Sequence, residues 1–216
     1  MSKIAGIVAV GLALASISMM TIAEDRAQSV LVNLTHTERW NRYADKMLEL
    51  HKKIIGEHDI RTTEELGGYF RQPEFYKDIK YYDKKTDRLL SRVQWEVKNP
   101  KLVHSMEIYI HNKAGQVVRD YGVAYLTDGR NAPMQTMINF HSYPGKLHAF
   151  RQFDASNNRT FERCEGQYKG KSVYISLSEM DILEIEDLPK SIMTSVEYKK
   201  CFAGLPTTAG KYLTPQ

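Results

Sequence analysis

The chain is poor in the residues that announce a chemistry. Its 216 residues hold two cysteines, and no Cys-x-x-Cys spacing exists, which leaves neither a catalytic dithiol nor a haem-attachment sequence. The Gly-x-Ser-x-Gly elbow, His-Glu-x-x-His, the phosphate-loop motif and the dinucleotide fingerprint are absent too. Their absence removes the motif-borne hydrolase, zincin and nucleotide-binding classes, but not a triad assembled in space. Beyond residue 23 no apolar run reaches spanning length, and there is no internal repeat and no low-complexity stretch. Charge of one sign is not concentrated either. Lys and Arg number 30 against 26 Asp and Glu, and the densest cationic stretch, Lys77 to Arg92, is interleaved with Asp78, Asp83 and Asp87. A nucleic-acid binder gathers its cations, so this pattern reads as a solvated surface.

What is present begins at residue 1. Met1-Ser2-Lys3 is a short positive region, residues 4–23 carry no charge, and Thr21-Ile22-Ala23 sets small residues before the acidic Glu24 and Asp25. That is the order of a signal peptide, and it predicts cleavage after Ala23 and export to a periplasmic or extracellular space. The competing expectation is an uncleaved anchor, since about 20 apolar residues can span a bilayer; this is the one route to a membrane that the segment offers. In an oxidising compartment the pair Cys164 and Cys201 is expected as a disulfide. Asn33-Leu34-Thr35 and Asn158-Arg159-Thr160 match the N-glycosylation sequon, which matters only in a eukaryotic source.

The expected organisation is a signal peptide over 1–23, a linker over 24–34, one α+β domain over 35–205 and a loose tail over 206–216. Thr35 with Glu38 fits a capping box. Trp40, Tyr43, Ala44, Met47, Leu48, His51, Ile54 and Ile55 then recur at helical spacing, and Gly56 is expected to cap the helix. A second short helix is expected from Thr62 or Thr63 to Gly67-Gly68. From Phe75 the period changes to 2, and strands follow one another through Asn112–Gly115, Tyr143–Gly145 and Gly166–Gly170 turns. After Ser178 a weak helical pattern returns, with a short helix from Pro189 that delivers Cys201. These pieces predict an α+β fold, an N-terminal amphipathic helix packed on a curved antiparallel β-meander. In architecture alone this resembles cystatin-like and nuclear-transport-factor-like rolls; no motif of either family is present, and such rolls host binders and enzymes alike.

Three constellations carry possible chemistry. His104, Arg119 and Arg151 each fall in register with apolar residues of their strands, and a charge facing a core must be paired or must line a pocket. An open pocket with those three would suit a small carboxylate or phosphate; the plain alternative has Arg119 lying over Tyr121 and Tyr125 on an outer face. Met134, Met137 and His141 would share a face only on a helix, where thioethers and imidazole suit Cu(I), whereas the alternation of Thr136, Ile138 and Phe140 favours a strand. The seven histidines show no metal-ligand spacing. The polar stretch Arg130–Gln135 reads as a loop between strands. The leading expectation is therefore an exported module that binds a small anionic ligand or a protein partner through His104, Arg119 and Arg151, with no metal, no cofactor and no nucleic acid. An enzyme with His104 as general acid or base beside an arginine is the alternative, and a copper carrier is the third.

Overall fold

The computed structural model describes residues 34–125, 132–185 and 191–216. The signal segment 1–23, the linker through residue 33, Arg130–Asn131 and the helix start at Pro189 lie outside the described residues.

Helix α1 spans Leu34–Glu57. Trp40, Tyr43, Ala44, Met47, Leu50 and His51 form its buried stripe, while Leu48 and Ile54 are only partly covered. The helix begins at Leu34, so Thr35 falls in its first turn rather than at its cap. Gly56 lies in the last turn without a positive φ, so no left-handed glycine ends the helix. Nine strands follow: β1 Ile60–Tyr69, β2 Gln72–Asp83, β3 Leu89–Glu96, β4 Val103–His111, β5 Val117–Ala124, β6 Gln135–Ser142, β7 Lys146–Phe153, β8 Arg159–Tyr168 and β9 Lys171–Ser178. Each pairs antiparallel with the next in chain order, giving one nine-stranded meander. Short helices α2 (Glu179–Ile185) and α3 (Val196–Phe202) come last, with single 3-10 turns at Ile192–Thr194 and Gly210–Leu213.

The segment expected as a short helix before Gly67-Gly68 is strand β1. Pairing decides it: Glu64 meets Lys77 at 3.1 Å and Glu65 meets Lys80 at 2.6 Å across the hairpin. Gly68 sits at a register shift, where an added Cβ would lie 2.0 Å from the Gln72 carbonyl oxygen, so only glycine fits. At the β8–β9 turn Lys169 and Gly170 both take positive φ, as a tight hairpin turn requires.

One face of the sheet is covered. Along β7, Leu147, Ala149, Arg151 and Phe153 are buried, and His148, Phe150 and Gln152 alternate onto the other face. Three bonds lay α1 across the covered face. Trp40 Nε1–H donates to Ser156 Oγ at 3.0 Å, Tyr43 Oη–H to the Met137 carbonyl at 2.5 Å, and His51 Nδ1 lies 2.9 Å from Ser91 Oγ. The rest of that face is closed by α3, which the Cys164–Cys201 disulfide fastens to β8, and by residues 204–216. The expected loose tail is packed: Ala209 is buried, and the Tyr212 ring lies 5.2 Å from that of Phe140. The opposite face, called open below, carries mostly half-buried polar and aromatic side chains.

Candidate functional site

The three residues singled out from the strand patterns do not meet. Arg119 and Arg151 share a row on the covered face, on either side of Phe140 in register. Both are engaged by the chain itself. Arg119 Nη2 donates to the Gln216 main-chain oxygen at 2.7 Å, and its guanidinium lies 4.2 Å from the Tyr212 ring centre. Arg151 is ion-paired to the fully buried Glu162 and donates to the Pro206 carbonyl at 2.9 Å. Tyr198 Oη–H donates to the other oxygen of Glu162 at 2.6 Å; burial and that bond push the Tyr198 hydroxyl up to about 12. Tyr121, which the plain alternative set on an outer face beneath Arg119, is wholly buried, and the Arg119 guanidinium does lie over its ring at 5.3 Å. His104 sits elsewhere, with Nε2 2.5 Å from Tyr69 Oη and the rings of Tyr69, Phe75 and Tyr76 around it; burial lowers its pKa.

Met134, Met137 and His141 belong to the β6 region, so the helical face that would unite them does not form. Met137 packs over Gly122, and Met134 is exposed.

The open face holds a denser arrangement. Alternation on β5, β6 and β7 brings Asp120, Asn139, His141 and His148 to the same side. Asp120 Oδ2 lies 2.5 Å from His141 Nε2, and His141 Nδ1 lies 3.0 Å from His148 Nε2. Asn139 Nδ2 donates to Asp120 Oδ1 at 2.7 Å, Gln152 Nε2 to Asn139 Oδ1 at 3.0 Å, and Thr160 Oγ1 to Gln152 Oε1 at 3.0 Å. The carboxylate is thus held by donors on both oxygens, and a chain of fixed polar side chains backs it.

Two proton arrangements satisfy this chain: with His141 protonated only on Nε2, toward Asp120, its Nδ1 accepts from His148 Nε2–H, and with His141 protonated on both nitrogens its Nδ1–H donates to His148 Nε2. The imidazole centres are 5.3 Å apart with planes 10° from parallel, the separation two rings placed end to end with a 3.0 Å N···N contact require. The two rings therefore share an in-line proton rather than converge on an ion. Among the described residues no three His, Cys, Asp or Glu side chains could hold a metal.

Electrostatics follow burial. Desolvation, and then the neighbouring His141, lowers the His148 pKa. Desolvation and then Asp120 raise that of Tyr143, whose ring lies parallel to His148 at 4.8 Å. Tyr109, opposite Asp120 on β4, is pushed far up by burial and by its 2.5 Å bond to Glu107. Tyr109 also borders a cleft of about 270 Å³ between the end of α1 and the β2–β3 turn. There His58 lies 2.6 Å from Asp83, and His58 with Thr86 holds the Asp83 carboxyl down at about 2.

Linear spacing hid this site. His141 and His148 are neither two nor four apart; they meet because the Tyr143–Gly145 turn folds β6 onto β7. The one available signal was that Asp120, Asn139, His141 and His148 all alternate opposite the apolar residues of their strands. Comparison with known proteins gave no matching family model, no similar curated protein and no similar solved structure.

Proposed function

We propose that the chain is an exported binding module that takes a small ligand on the open face, at the His148 end of the Asp120–His141–His148 chain. The observation that carries this reading is the in-line Asp120–His141–His148 chain, which ends on the His148 imidazole between the Tyr143 and Phe150 rings. Such a group accepts from an ammonium or hydroxyl, and aromatic neighbours with a carboxylate behind favour the cationic donor. The anionic-ligand reading on Arg119 and Arg151 asks residues 205–216 to lift away first. Export is supported by the uncharged segment 4–23 and by the disulfide. The meander with α1 laid across it supports a roll, cystatin-like or nuclear-transport-factor-like in architecture.

The test is imidazole ¹⁵N NMR of the protein titrated with small amines, polyols and carboxylates. The expected result is a His148 shift with an amine or polyol that disappears in His148→Phe. Shifts with carboxylates alone, retained in His148→Phe and lost in Arg119→Ala, would return the site to the covered face.

The same in-line chain favours one second reading, an exported enzyme with His148 as general base and Asp120 orienting the pair. Asp120→Asn would then abolish turnover of a bound substrate while leaving its affinity within a few-fold.

A further inference from the structure

A different surface carries an inference independent of the open-face site. At one end of the sheet the β1–β2 turn and the β3–β4 loop lie side by side: Val97 N–H donates to the Phe75 carbonyl, and Lys98 borders the same small cleft as Gln72–Phe75. Five large apolar side chains are exposed there, Leu66, Tyr69, Phe70, Val97 and Leu102, with Phe70 at 102 %. Folded proteins rarely leave such a group uncovered without use for it. Arg71, Lys98 and Lys101 surround it, exposed, and no ion pair involving them exists among the described residues. Among the described residues Glu74 is the exposed acid of the β1–β2 turn, and Glu65 beside Leu66 is paired with Lys80.

The apex is also braced from behind. The Tyr69 hydroxyl is tied to His104, the Tyr69 ring packs 5.6 Å from Phe75, and the backbone closes tightly on Gly68. His104 thus anchors the tip rather than a pocket. A projecting aromatic with Arg71, Lys98 and Lys101 around it stands clear of the adjacent cleft, whose lining is Gln72–Phe75 and Lys98. It fits a deformable anionic surface, where apolar side chains enter the headgroup boundary and Lys or Arg meet phosphate. From this we propose that the tip docks on an anionic phospholipid membrane, with Phe70 inserted and Arg71, Lys98 and Lys101 on the headgroups.

The experiment compares the full chain with F70S and with K98A/K101A, so that the apolar segment 4–23 is common to all. Partition is measured by sedimentation with vesicles of phosphatidylcholine alone and with one third phosphatidylglycerol. F70S should weaken binding to the mixed vesicles about tenfold or more, and K98A/K101A on the order of 30-fold. A third variant, F70W, reports position: its added fluorescence should shift blue and be quenched by lipids brominated on the acyl chain. Exposed Phe70 contributes nothing to the core, and an unchanged circular dichroism spectrum and melting temperature would show that F70S is folded. Equal partition of parent and F70S, or an unquenched F70W, would overturn the proposal. So would Phe70-dependent dimerisation in sedimentation velocity, which would assign the tip to a second copy of the chain.

Discussion

At the scale of single residues, Glu162 is fully buried and takes Arg151 on one carboxylate oxygen and Tyr198 on the other. Arg151 alternates with Ala149 and Phe153, and it does point inward; its partner Glu162 lies on the next strand, and that pairing is invisible until the register is known. Breaking a buried pair strands the remaining charge and costs about 3–5 kcal/mol. Glu162→Ala should therefore lower stability by that order in denaturant melts, while Arg163→Ala, on the exposed Arg163–Glu165 pair, should change it far less. Near-equal effects would show that the Arg151 cluster is not load-carrying in the fold. Histidine titration gives a second expectation. His51, His104, His111 and His148 all have pKa values lowered by burial. A group that stays neutral longer in the fold than in the unfolded chain contributes stability that is complete above the unfolded value, near 6.5, and lost as pH falls through the folded value. Stability measured from pH 7.5 downward should decline once below about pH 6.5. His51→Gln, which removes the titration while keeping a polar partner for Ser91, should shallow that decline; a parallel curve would exclude His51 as a contributor.

At the scale of elements, the helix and most strands were legible because periods of 3.6 and 2 are long-lived signals, and α1 and β3 to β9 have them. The failure at β1 has a physical cause. Residues 60–69 lie at the sheet edge with both faces largely wet, so no apolar alternation marks them, and the paired glycines mimic a helix stop. The two glycine sites now separate cleanly. At Gly68 a Cβ would collide with backbone that cannot move aside, whereas at Gly56 nothing lies within 4 Å and φ is not positive. Gly68→Ala should loosen the β1–β2 hairpin, seen as faster amide exchange through residues 60–83. Gly56→Ala should instead stabilise α1 by up to about 1 kcal/mol, since alanine loses less backbone entropy in a helix. If Gly68→Ala left exchange unchanged, the register shift at that position would not need glycine.

At the scale of the whole molecule, the two faces of one sheet are built differently. The covered face is closed by α1 on one part and by α3 with residues 204–216 on the other, and the disulfide fastens the second closure. The open face carries the Asp120–His141–His148 chain on β5 to β7, whose hydrogen bonds run among its own members and to Asn139. Joining residues 37 apart, the disulfide restricts the unfolded chain, an effect of about 3.5–4 kcal/mol in the loop-entropy description. Cys164→Ala with Cys201→Ala should therefore lower stability by about 2–4 kcal/mol, and α3, which holds Tyr198 against Glu162, should be the first segment to lose amide protection. The imidazole resonances of His141 and His148 should keep their parent shifts and titration in that variant at temperatures where it remains folded. Melting and imidazole spectra of the same sample decide the matter. A lower melting temperature with unchanged histidines is the expected result of independent faces. Histidine shifts that move with the loss of the disulfide would mean that closure of the covered face sets the geometry of the open one.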